Sequence, residues 1–306
     1  MNKITALLIT LISFLCFPSH SQSQDLLSWQ DILEAEVETN YERIQVGADS
    51  LQFGELWLPE KSTENQTFPV VVLVHGGCWL DVYPGTEFMH PMAEALVDKQ
   101  FAVWNIEYRR VGHDGGGYPG TFLEVANAAD HLTELAEEYP LDLSQIIASG
   151  HSAGGHLATW LTARKNISPE SPLYSENPLQ INRVISLAGI NDLERYVQYG
   201  SSPCGDRTVE KLVDLESRGE EAYLDTSPNK LLPLHADHFE VVAAFDSPVP
   251  PFFGRHFVQS AKNSGNNTKL ILLPDAGHFE MIATWSDEWD QIFELFSLDT
   301  TLDAQD

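Results

Sequence analysis

Three segments of this sequence carry residues whose types and order suit nucleophilic attack on a carbonyl. Gly150-His151-Ser152-Ala153-Gly154 sets a hydroxyl between two glycines, after the apolar run Gln145 to Ser149 and before a helical window. A serine on so sharp a strand-to-helix turn needs small residues two places either side, where a side chain would meet crossing backbone. His75-Gly76-Gly77-Cys78-Trp79 follows the run Val70 to Val74. Charge building on a carbonyl oxygen needs preorganised donors, each worth about 3 kcal/mol, and glycines can turn their N–H groups inward. These donors are assigned to Gly76 and Gly77, with Cys78 as substitute, joined by the N–H of Ala153; Trp79 is expected to wall the acyl pocket.

A serine needs a base, and among eleven histidines His278 follows the run Lys269 to Leu273 in Pro274-Asp275-Ala276-Gly277-His278. Beyond the carboxyl end of a strand it reaches the same sheet edge as Ser152. The orienting carboxylate is assigned to Asp246, which ends the run Phe239 to Phe245 and opens the rigid turn Ser247-Pro248-Val249-Pro250. Asp192 is the rival, and Asp275 is expected to cap a helix opened by His278. The order Ser152, Asp246, His278 is one of the known chain orders for such a triad. His151, next to the nucleophile, is expected to point away from it and to pack or hydrogen-bond, and His75 and His156 are read as supports for the loop geometry.

These residues must be positioned by alternating elements. Tyr41 to Val46 and Leu51 to Leu58 flank the turn Gly47-Ala48-Asp49-Ser50 and predict an antiparallel hairpin. Further strands are predicted at Val70 to Val74, Phe101 to Ile106, Gln145 to Ser149, Arg183 to Leu187, Phe239 to Phe245 and Lys269 to Leu273. Between them Phe122, Val125, Ala126, Ala129, Leu132 and Leu135 mark one helix face. Shorter helical windows hold Met92 to Leu96 and Leu157 to Leu161, and Ile282 to Phe296 is expected to form the last helix. The alternation implies a mostly parallel α/β sheet covered on both faces, with the hairpin as its antiparallel edge. Residues 191–238 hold Glu210, Asp214, Glu216, Glu220, Glu221 and Asp225 on a helical pattern with Leu212, Val213 and Leu215, read as a solvated acidic helix that covers the sheet.

At the N-terminus Lys3 precedes the apolar run Ile4 to Phe17, shorter than the roughly 20 residues that cross a bilayer. With small residues at Ser19 and Ser21 it has the form of a signal peptide over residues 1–21, leaving residues 22–306 as a single exported domain without stable membrane insertion. The 17 basic against 45 acidic residues give a net charge of −28, which disfavours nucleic acid and anionic membrane surfaces as partners. Cys78 and Cys204 could pair in an exported protein or stand as small buried apolar groups. No spacing suggests zinc; His235 and His238 are read as surface or lid residues, and no cofactor is expected.

Together His75-Gly-Gly-Cys-Trp79, Glu107-Tyr-Arg-Arg110, Gly116-Gly-Tyr-Pro-Gly120, Gly150-His-Ser-Ala-Gly-Gly-His-Leu157, Asp246-Ser-Pro-Val-Pro250 and Gly277-His278 resemble the α/β-hydrolase superfamily. The nearest group spans carboxylesterases, acetylxylan or feruloyl esterase-like proteins and kynurenine formamidase-like proteins. The resemblance implies a cofactor-independent serine hydrolase acting on a small-molecule ester of a short acid, with residues 191–238 as a small lid-like insertion. Hydrolysis of an N-formyl amide by the same residues is the alternative. A catalytically inactive hydrolase fold serving as a binding module is the alternative of another class.

Overall fold

The computed structural model describes residues 26–38, 40–199 and 203–297; the expected signal peptide lies outside them. Eight strands form one sheet: β1 (Tyr41–Gln45), β2 (Phe53–Trp57), β3 (Phe68–Val74), β4 (Ala102–Ile106), β5 (Leu141–His151), β6 (Arg183–Leu187), β7 (Asp237–Ala243) and β8 (Thr268–Leu273). Their order is β1-β2-β4-β3-β5-β6-β7-β8. β1 and β2 are antiparallel, and β2 runs antiparallel to β4, while every later pairing is parallel. This is the mostly parallel α/β sheet with an antiparallel edge hairpin that the strand runs predict.

The helices are α1 (Trp29–Leu33), α2 (His90–Asp98), α3 (Gly120–Asp130), α4 (Leu132–Glu138), α5 (Ala153–Ala163), α6 (Leu193–Gln198), α7 (Thr208–Leu212), α8 (Leu215–Arg218), α9 (Phe252–Asn263) and α10 (Trp289–Glu294). β4 and β6 are buried at every residue and β3 at all but Pro69, because helices cover both faces and the strands carry apolar residues at odd and even positions alike. α5 is buried along its whole length behind the nucleophile turn.

Two helices differ from their predicted spans. The face from Phe122 to Leu135 is divided into α3 and α4, where the Thr133 hydroxyl donates to the Asp130 carbonyl at 2.8 Å. The expected last helix is reduced to a 3₁₀ turn over Glu280–Ile282 followed by α10. Ser286 interrupts it, donating its hydroxyl to the Glu280 carbonyl at 2.9 Å. Within residues 191–238 the acidic pattern is broken among α7, α8 and a 3₁₀ turn, and Asp225 is not solvated. It is buried and accepts from Tyr118, Ser171 and Arg218.

Candidate active site

β5 delivers Ser152 directly to α5, and the serine stands at φ 57°, ψ −116°, a conformation in which a non-glycine residue is strained. The surroundings explain how that strain is held. A Cβ on Gly150 would come within 2.3 Å of the Gly154 carbonyl oxygen, and one on Gly154 within 2.0 Å of the Val74 oxygen. The two glycines therefore let β3, β5 and α5 close around the turn. The Ser152 N–H is tied to the Leu187 carbonyl at 2.8 Å.

The glycine loop after β3 packs on the same turn. A Cβ on Gly76 would lie 2.8 Å from the His151 carbonyl oxygen and 3.5 Å from Ser152 Cβ. Gly77, Cys78 and Trp79 follow at φ 93°, 54° and 54°, three successive left-handed residues of which only the first is free of steric cost. Among the described residues no protein acceptor takes the N–H groups of Gly76, Gly77, Cys78 or Ala153. Two anchors hold the loop in this conformation. Cys78 is bridged to Cys204 across 126 residues, so the cysteines are a disulfide rather than separate buried thiols. Trp79 donates its indole N–H to His156 Nδ1 at 3.2 Å.

That bond corrects the role expected of Trp79. The indole is wholly buried against α5 and takes no part in the cavity at Ser152. The left-handed backbone at Cys78 and Trp79 turns it into the core instead. Its partner His156 donates to the Thr226 carbonyl at 2.8 Å, and burial lowers its pKa to about 4, so it stays neutral as an acceptor. His75 supports the loop from below. Its ring stacks on Tyr108 at 4.3 Å and meets Glu107 at 3.0 Å, while the Tyr108 hydroxyl donates to the His75 carbonyl at 2.9 Å. Burial pushes the Glu107 carboxyl up, but His75, Arg110 and the Tyr108 N–H outweigh it and hold it below the ordinary carboxylate value.

The loop after β8 brings His278 to Ser152, and both line one cavity. His278 Nδ1 donates to Asp246 Oδ2 at 2.7 Å, and Asp246 Oδ1 accepts the Val249 N–H at 2.7 Å, which fixes the carboxylate. Asp192 is elsewhere: it caps α6 by accepting from the Arg195 N–H at 3.1 Å. Asp275 is exposed and opens no helix, since His278 lies in a bend. His151 does not point away as expected: it hydrogen-bonds, Nε2 donating to the His278 carbonyl at 2.8 Å, but that bond turns its ring toward His278, 4.4 Å off, and into the cavity that Ser152 lines. Burial, with the neighbouring His278 adding to it, lowers the His151 pKa well below the usual histidine value. His151 thus stays neutral beside a base that must carry charge. Away from the site, His238 is a buried β7 residue bonded to Thr268 and Glu240, not a surface or lid residue, whereas His235 is exposed and bonds to Asn166.

The cavity measures about 210 Å³ and is lined mainly by apolar groups, among them Trp29, Tyr83, Phe88, Pro203, Pro248 and Phe279. None of these was singled out for the site from sequence. Pro248 and Phe279 stand within two residues of the acid and the base, which is a usable signal; Trp29 comes from the far N-terminal side, where no local pattern ties it to the site.

A family model described as BD-FAE matches residues 55–238, more than half of the chain. The match includes Ser152 and the Gly76–Gly77 loop and stops before Asp246 and His278. No curated protein matches the sequence. Among solved structures, the bifunctional GH43-CE protein of Bacteroides eggerthii superposes with a TM-score of 0.68 at 21% identity; the match covers 83% of this chain and 37% of that one. Esterase B of Lactobacillus rhamnosis inhibited by a tributyrin phosphonate gives a TM-score of 0.71 at 18% identity, over 88% of this chain and 87% of that one. Thermogutta terrifontis esterase 2 phosphonylated by sarin gives 0.68 at 20% identity, over 86% and 93%. The fold is that of the α/β-hydrolases.

Proposed function

The chain belongs to the BD-FAE family, and on that premise we propose that it is a serine hydrolase cleaving carboxylic esters of small acyl groups through an acyl-enzyme. One observation carries the proposal: the strained Ser152 shares a cavity with His278, whose far nitrogen is held by Asp246 at 2.7 Å. With the proton of the imidazole kept on Nδ1 by Asp246, Nε2 is free to accept from the Ser152 hydroxyl. The serine oxygen then bonds to the ester carbonyl carbon, and the carbonyl oxygen takes the charge. Unengaged N–H groups of Gly76, Gly77 and Ala153, with Cys78 as substitute, are the donors that would receive it. The imidazolium, stabilised by Asp246, returns its proton to the leaving alcohol, and water repeats the sequence on the acyl-enzyme.

The apolar cavity of about 210 Å³ supports a small ester rather than a polymer chain threaded through the site. Structural relatives that are esterases inhibited by phosphonates support ester chemistry on this fold. Export is part of the proposal. The Lys3 to Ser21 segment has the form of a cleaved leader, and the Cys78–Cys204 bridge supports it because disulfides persist in oxidising compartments. The test is Ser152→Ala against short p-nitrophenyl esters and a fluorophosphonate label. Parent protein should hydrolyse and be labelled, and the variant should do neither while melting as the parent does. Unchanged hydrolysis in the variant would remove Ser152 from the reaction.

A further inference from the structure

The segment ahead of the family-matched region reaches into the cavity. Trp29, the first residue of α1, lines it beside Phe88, the two rings meeting edge to face at 6.5 Å. The segment is anchored at both ends. Ile32 is sunk in the core at 1% exposure. At the other end Glu280 receives two N–H groups, from Leu27 at 2.6 Å and from Gly277 at 2.8 Å. Gly277 immediately precedes His278, and a Cβ there would meet Glu280 Oε2 at 3.0 Å and Leu26 Cδ1 at 3.1 Å. One buried carboxylate therefore fastens the N-terminal segment to the loop that carries the base. Hydrogen bonds to a charged acceptor are about twice as strong as neutral ones, so the fastening is a strong one.

We propose that Trp29 is a size-limiting wall of the cavity, and that Glu280 is the positioning residue that holds it there. The inference rests on the ester-hydrolase reading and adds a specificity determinant to it. An indole edge that closes a small apolar cavity excludes longer substituents. Each methylene that a pocket refuses or accepts is worth roughly 10- to 200-fold in selectivity.

The experiment compares parent, Trp29→Ala, Trp29→Phe and Glu280→Gln. Two series are used: p-nitrophenyl acetate, butyrate and octanoate, and acetyl esters of alcohols of increasing size. The readout is the ratio of kcat/KM for large over small esters, with Tm as a check on folding. Trp29→Ala should raise that ratio at least about tenfold in one series, chiefly through KM, and Trp29→Phe less. Glu280→Gln keeps the indole but loses one acceptor, so it should shift the same ratio in the same direction. A uniform fall for all esters, or unchanged ratios in both series, would overturn the proposal and leave Trp29 as packing. If Trp29→Ala does not fold, Trp29→Phe decides by the same ratio.

A binding arm separates this inference from the reaction. Acetate and octanoate are titrated by NMR into Ser152→Ala, with and without Trp29→Ala. Octanoate gaining affinity over acetate only in the double variant supports the wall even if no ester is hydrolysed. Absence of both hydrolysis and any such gain would overturn the reaction and the wall together.

Discussion

Asp246 earns its place by geometry that neither Asp192 nor Asp275 shares. Its two oxygens are divided between His278 Nδ1 and the Val249 N–H, so the carboxylate cannot rotate away from the imidazole. Asp246→Asn keeps the shape but can turn its amide N–H toward Nδ1, which puts the ring proton on the nitrogen facing Ser152. The expected loss in kcat is up to about 10⁴, as in a protease triad, with KM and Tm near those of the parent. Asp192→Asn is different because its oxygen caps α6; it should cost on the order of 1 kcal/mol of stability or less and little activity. Steady-state kinetics on Asp246→Asn, Asp192→Asn and Asp275→Asn checks the assignment. Near-parent kcat in Asp246→Asn with collapse in Asp192→Asn or Asp275→Asn would move the acid. At this scale the meeting of Ser152, Asp246 and His278 in space is legible in the sequence because each follows a strand, and strand ends share one edge of a parallel sheet. Trp79 was misplaced for the same physical reason that sequence neighbours are poor spatial guides: two left-handed residues reverse its direction into the core.

At the scale of elements, the residues that follow β4 brace the glycine loop that follows β3. Glu107 holds His75, Arg110 lies 3.5 Å away, and Arg110 in turn donates to the carbonyls of Tyr83 and Pro84. The folded Glu107 carboxyl sits below its unfolded value, so its contribution is present above the unfolded pKa of about 4.3 and is lost as pH falls through the lower folded value. Glu107→Gln should cost about 3 kcal/mol at pH 7, since it leaves buried partners uncompensated. The gap in Tm between parent and variant should close as pH is lowered below about 4. A gap that is constant from pH 7 to pH 3 would show that the carboxylate charge is not what holds the loop. Strands were more legible than helices here. Short, β-branched runs such as Val70 to Val74 read as buried strands, whereas the breaks at Asp130 and Ser286 depend on hydroxyls of Thr133 and Ser286 competing for backbone carbonyls. The clasp of α1 by Glu280 spans 253 residues, and no local pattern announces so distant a partner.

For the molecule as a whole, the excess of acid has to be carried somewhere. With 17 basic residues against 45 acidic ones, most carboxylates cannot find a cation, whatever the fold. The cations present are used where burial demands them: Arg164 on Asp130, Arg218 on Asp225, Arg109 on Glu124. The remaining surface repels itself, which favours the expanded chain, since unfolding separates like charges. Salt shortens the reach of that repulsion from about 30 Å at 0.01 M to about 8 Å at 0.15 M. Screening also weakens solvent-accessible pairs such as Lys230–Glu194, but each is worth only about 0–1 kcal/mol and among the described residues they are few. Repulsion therefore dominates the balance, and Tm at pH 7 should rise by several degrees as NaCl is raised from 0.01 to 0.15 M. Most of the rise should fall in this range, below the concentrations at which salt strengthens apolar burial. Differential scanning fluorimetry across the series checks it. A flat or falling Tm would mean that the paired charges outweigh the unpaired ones, and that the acidity of the chain serves only to keep copies of it apart.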